Sequence, residues 1–341
     1  MSEAAVILPP PTDLPAFARS GINLASAGLG AKAIFATDDF FAEVNRMLAD
    51  KPAEFYPTLY DDNGKWMDGW ESRRKRVAGH DFAIVRLATP GVIRGFDVDT
   101  SHFTGNFPPA ARIEGAVVKS GDPTDATVWT EILPLSPLSA SAHHFFASTA
   151  GDVFTHVRLH IYPDGGVARL RVYGEPQLDI SGLAGKTIDL ASGLNGGRVV
   201  AYSDAHYGAF HRLLSPGRGL DMGDGWETRR RRVPGNDWII IALGARGIIE
   251  KVELDTAHYK GNFPDSASIL AGDAGSGLDD LTQAIITQAM FWPELLPQQK
   301  LQADHIHAFD TLKPVGPVTH IRLNIFPDGG ISRVRLWGKL A

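Results

Sequence analysis

Apolar and polar residues alternate strictly from His156 to Tyr162: Val157, Leu159 and Ile161 share one face, and His156, Arg158 and His160 share the other. A period of two marks a half-buried strand. Pro163, Asp164, Gly165 and Gly166 follow with turn chemistry: proline presets φ, aspartate bonds to nearby backbone, and glycine admits positive φ. A second alternating run then sets Leu170 and Val172 opposite Arg169 and Arg171. The pattern predicts a β-hairpin over Thr155–Gly174. "KAIFAT" from Lys32, "DFAIVRL" from Asp81 and "GVIRGFDVDT" from Gly91 read as further strands separated by turn signals. Helical periodicity is confined to Phe40–Asp50 and Leu281–Met290. Many short strands with glycine-rich turns predict antiparallel all-β units, most simply jelly-roll β-sandwiches.

The chain also repeats itself. "DGWESRRKRV" begins at Asp68 and "DGWETRRRRV" at Asp224, 156 positions later. "DVDTSHFTGNFP" (Asp97–Pro108) and "ELDTAHYKGNFP" (Glu253–Pro264) keep that offset. "THVRLHIYPDGGVARLRVYG" (Thr155–Gly174) matches "THIRLNIFPDGGISRVRLWG" (Thr319–Gly338) at an offset of 164. Offsets that change only in Gly/Pro/Asp-rich stretches are those of loop insertions. The sequence therefore predicts two tandem units, residues 18–174 and 187–338, joined by Glu175–Lys186. Each is long enough to bury its own core.

Composition narrows the partners. The net charge is −6, so bulk charge attracts neither nucleic acid nor anionic lipid. Apolar residues are 44 % and charged residues 21 % of the 341, a globular balance. Without cysteine there is no disulfide, no thiolate chemistry and no sulfur-ligated zinc. No stretch approaches the roughly 20 apolar residues of a spanning helix, and the first residues lack signal-peptide features. These features suggest a cytoplasmic protein that meets neither membrane nor nucleic acid.

"NLAS", "GAKAIFATDDFFAEVNRML", "DGWESRRKR", "DTSHFTGNFP" and "IYPDGG" with "ARLRVYG" resemble the allantoicase family over nearly the whole chain. The resemblance implies two jelly-roll repeats related to galactose-binding-like domains, and hydrolysis of allantoate to ureidoglycolate and urea in purine-nitrogen salvage. With the apolar strands, it also implies a homo-oligomer. The alternatives are a non-catalytic jelly-roll binding protein for a small anion or sugar, and a hydrolase of a related ureide such as ureidoglycolate.

Allantoate carries one carboxylate and two ureido groups on one carbon. A site for it needs a cation, amide-like or carboxylate partners, and an acid/base pair, but neither metal nor organic cofactor. Arginine grips a carboxylate through two parallel bonds, which points to Arg73 and Arg74 with Arg229 and Arg230, beside Trp70 and Trp226. The plain alternative is an edge strand whose charges are solvated or paired. Asp99 with His102, and Asp255 with His258, stand three apart and suit an aspartate-tuned imidazole. Asn106 and Asn262 can donate and accept to an amide. Glu71 and Glu227 adjoin tryptophan, where burial raises a carboxyl pKa. Asp38, matched by Asp204, is either an N-cap or a catalytic group. His143 aligns with His307 at the later offset, but the histidine spacing is irregular, so no metal site is expected. Asp39/Ala205, His80/Asn236 and His160/Asn324 differ between the copies. Either one unit is catalytic and the other a scaffold, or the site lies between them.

Overall fold

The computed structural model describes residues 4–208, 210–275 and 282–341. Contacts divide the chain into two compact units, one ending at Gln177 and the next beginning at Leu178. Each is an all-β jelly-roll sandwich built around one 19-residue strand, Asp81–Asp99 or Asp237–Asp255.

In the first unit the two runs expected as separate strands are one. Pro90 and Gly91 do not turn the chain. They sit where pairing with Val153–Tyr162 slips between Phe154 and His156, and a proline without a ladder donor is tolerated at such an irregularity. A Cβ on Gly91 would lie 2.8 Å from the Glu175 carbonyl oxygen, so the close crossing needs glycine. The first half of the long strand pairs with Lys32–Ala36 and with Val153–Tyr162, which continues the sheet to Ala110–Ala116 and Thr130–Pro137. The second half pairs with Phe145–Ala147 and with Arg169–Pro176, which in turn pairs with Ile22–Asn23.

The expected hairpin is therefore absent. Val153–Tyr162 and Arg169–Pro176 pair with different halves of the long strand, and the Pro163–Gly166 turn carries the chain from one half to the other. The alternation itself is correct: Val157, Leu159, Ile161, Leu170 and Val172 are fully buried and join Val85, Phe96, Val98 and Ile113 in one core. The run Phe40–Asp50 forms only a 3₁₀ segment, Val44–Leu48. The expected second helix spans Thr282–Ala289; its first expected residue, Leu281, lies outside the described residues.

The second unit has the same plan. Asp237–Asp255 pairs with Arg198–Tyr202 and Val318–Phe326 in its first half, and with Ile306–Phe309 and Arg333–Leu340 in its second.

Candidate active site

The repeated motifs meet in a junction at one place in each unit. Trp70–Glu71 pairs with Gly166–Val167. The Glu71 carboxylate accepts from Asn106 Nδ2 at 2.7 Å, and the Asn106 carbonyl accepts from Gly166 N–H. Trp70 is fully buried, its indole N–H donating to the Asp38 carbonyl. Asp38 accepts from the backbone and side chain of Arg73. Burial opposes ionisation of Asp38, but the Arg73 bonds outweigh it and hold its pKa below the usual carboxylate value. Burial raises the pKa of Glu71, with Asn106 offsetting part of the effect. In the second unit Trp226–Glu227 pairs with Gly330–Ile331, Asn262 bonds Glu227, Trp226 bonds the Asp204 carbonyl, and Arg229 bonds Asp204. Arg74 and Arg230 are exposed.

His102 and His258 belong to the same framework. Both take left-handed backbone, at φ 68° and 70°. The backbone N–H of His102 donates to Ser141 Oγ and that of His258 to Asp304 Oδ1, while the rings reach the carbonyls of Ala53 and Gly219. Neither ring is bonded to the aspartate three residues earlier. Asp99 Oδ1 instead accepts from Ser101 N–H, and Asp255 Oδ1 from Ala257 N–H.

Asp99 does face a cavity, of about 200 Å³, in the first unit. The period-two rule builds its floor. Asp97 and Asp99 stand on one face of the long strand, and Arg171 and Tyr173 stand beside them on Arg169–Pro176, with Arg171 in register with Asp97. On the other flank Phe145 is in register with Asp97, and the His143 ring stacks on Phe145 at 5.9 Å. His143 Nδ1 lies 2.8 Å from Asp97 Oδ2, and its Nε2 lies 3.8 Å from Asp99 Oδ2. The second distance is too long for a hydrogen bond, so Nε2 and Asp99 both keep bonding capacity toward the cavity. Ser101, Pro52, Ala53 and an N-terminal segment complete the lining.

Electrostatics suits this site to proton transfer. Burial disfavours the charged imidazole of His143, but the bond to Asp97 and the charge of Asp99 outweigh it and raise the histidine pKa. Burial raises the pKa of Asp97, with His143 partly offsetting. The Tyr173 hydroxyl is pushed up to about 12 by burial and stays a donor. Arg171 donates to the carbonyls of Ala49 and Asp50 and lines the cavity. Of the residues expected from the motifs, Asp99 lines this cavity, together with His143, Asp97, Arg171 and Tyr173; the others stand at the junction or on its framework. Asp97 and Asp99 flank the core residue Val98, and Arg171 and Tyr173 flank Val172, so all four stand on the face away from the core. Their neighbourhood depended on strand order.

A second polar cluster lies on the other half-sheet of the first unit. His160 Nε2 lies 2.8 Å from Glu114 Oε2, and His160 Nδ1 lies 2.8 Å from His80 Nε2. Arg158 also bonds Glu114 and rests over the Trp129 ring at 4.4 Å. Burial, aided by Arg112 and Arg158, depresses the His160 pKa to about 4 against the pull of Glu114.

The sequence model of the allantoicase repeat matches residues 22–177 and 188–341. A probable allantoicase of Rhizobium meliloti (strain 1021) is 58% identical over 330 residues, 96% of this chain and 96% of its own length. A "Probable allantoicase 1" of Burkholderia mallei (strain ATCC 23344) is 57% identical, with 96% of each chain covered. The crystal structure of allantoicase from Saccharomyces cerevisiae superposes with a TM-score of 0.78 at 33% identity, covering 94% of each chain.

Proposed function

The chain belongs to the allantoicase family, and from that premise we propose that it hydrolyses allantoate to ureidoglycolate and urea in the cavity of the first unit. The observation that carries the placement is the Asp97–His143 bond beside Asp99 and Arg171, an acid, a base and an anion clamp around one small space.

Arg171 holds the substrate carboxylate. Asp99 takes the N–H proton of the ureido group that stays, and that nitrogen's electrons form a C=N bond to the central carbon. The C–N bond to the other ureido group breaks, and His143 Nε2–H protonates the departing nitrogen, releasing urea. Water then adds to the C=N carbon. His143 accepts the proton from water, Asp99 returns its proton to nitrogen, and ureidoglycolate leaves with both groups restored. Asp97 keeps His143 oriented and charged for the first step.

The test is urea release from purified protein supplied with allantoate, alongside His143→Ala, Asp99→Asn and Arg171→Ala. Wild-type turnover in all three variants would remove this placement. This reading puts the enzyme in the cytoplasm, where a chain without cysteine is at no disadvantage, and as a homo-oligomer, which sedimentation of the purified protein would test.

A further inference from the structure

The cavity has one side with no polar side chain. Leu8, Pro10, Pro11 and Leu14 form it, opposite Asp97, Asp99, His143 and Arg171. This segment is held at both ends. Val6–Ile7 pairs antiparallel with Glu54–Phe55, directly after the lining residues Pro52 and Ala53. At the far end, Phe17 in the short helix Ala16–Ser20 packs 6.1 Å from the Tyr173 ring. Phe17 reaches that position because Gly95 has no side chain, a Cβ there falling 2.5 Å from the Phe17 ring. The second unit carries Lys251 at the matching position, its ammonium paired with Glu253. Pro9, Pro10 and Pro11 have fixed φ and no backbone N–H. The three prolines have little freedom to lose and present no amide donor that needs a partner inside the cavity.

We propose that residues 8–14 are a fixed wall of the substrate cavity. They set its preference for compact carboxylates whose polar groups all point to one side, and they shield the acid–base pair from bulk water. This rests on the reaction site argued above. An apolar wall excludes bulkier ureides by shape. It also strengthens the bonds made by Asp99, His143 and Arg171, because fewer waters compete for them.

The experiment compares the full chain with a variant beginning at Pro15. Two quantities are read: KM and kcat for urea release from allantoate, and the rate at which diethyl pyrocarbonate modifies His143. His144 is the internal reference, since its ring is held between the Val98 carbonyl and Ser139 N–H. The main core of the unit uses no residue before Ile22, so the variant keeps its thermal transition. The expected result is a KM raised about tenfold or more, with His143 modified several-fold faster relative to His144. Unchanged KM and unchanged modification overturn the proposal. A full chain that releases no urea removes the catalytic reading instead. The modification ratio then decides the wall by itself, acceleration keeping it and an unchanged ratio discarding it. Should the truncated chain fail to fold, Leu8→Ser with Leu14→Ser in the full chain is read by the same two measurements.

Discussion

The two units share a scaffold and differ where the chemistry is proposed. His144 in the first and His307 in the second each link the long strand's carbonyl to a loop N–H, so His307 corresponds to His144 and Ile306 to His143. The 164-residue offset that aligns His143 with His307 is one residue too long for this stretch. The second unit therefore has an isoleucine where the first has its cavity histidine. Where Pro52 lines the first cavity, Arg218 reaches across to Asp255, at 3.1 Å, satisfying the counterpart of Asp99 internally. Glu253, the counterpart of Asp97, is paired with Lys251. By contrast, the tryptophan–glutamate–asparagine junction and the left-handed histidine are the same in both units. The junction is thus common to both units, whereas the histidine–aspartate cavity is described in the first alone.

That comparison can be broken or sharpened. The largest expected effect is in catalysis: His143→Ala lowers kcat by about 10²–10⁴-fold, as loss of a general acid does, whereas Ile306→Ala leaves urea release unchanged. Equal losses from both would refute the asymmetry. Next, Arg171→Ala raises KM by roughly 10- to 100-fold, the worth of a charge-assisted clamp.

A smaller effect is on stability against pH. His160 has a folded pKa near 4 and an unfolded value near 6.5. Above pH 6.5 both states are neutral and the group contributes no pH dependence. As pH falls from 6.5 toward 4 the unfolded chain takes a proton that the folded chain refuses, so stability drops, by about 3 kcal/mol at most. The second unit has Asn324 at this position, which does not titrate. Calorimetry should show the first unit losing stability over this window, and His160→Asn should flatten most of the slope.

Smallest of all, Arg73→Ala and Arg229→Ala each cost under about 1 kcal/mol of stability, because both guanidinium groups are largely exposed, and they leave kcat unchanged. A hundredfold loss of turnover from either would move the reaction to the junction.

Much of the fold was legible because repetition and period-two patterning are local. The offsets exposed the duplication, and "VARLRV" placed Leu170 and Val172 in the core, although Arg169, set on the opposite face, is buried as well and pairs with Asp68. Local turn chemistry was silent about where the next strand goes. "PDGG" reads as a hairpin turn, yet it connects strands paired with different halves of one strand, and "TPG" sits inside a strand because Pro90 falls at a slip in the ladder. The proposed site was only partly legible for a related reason. Asp99 stood out in a repeated motif. His143 meets Asp97 across 46 residues and Arg171 meets it through strand pairing, contacts that no spacing rule anticipates. Arg73 and Arg74 drew attention as a cation block, but Arg73 is paired with Asp38 and Arg74 is exposed to solvent.

Gly166 and Gly330 carry a consequence for how such a chain can change over time. A single methyl group on Gly166 would lie 1.9 Å from the Phe103 ring, and one on Gly330 would lie 2.1 Å from the Tyr259 ring. Neither copy can take a side chain at that clasp without displacing the buried ring behind it. A gene carrying both halves can therefore vary the cavity residues of one copy while the clasp in each keeps both frames folded.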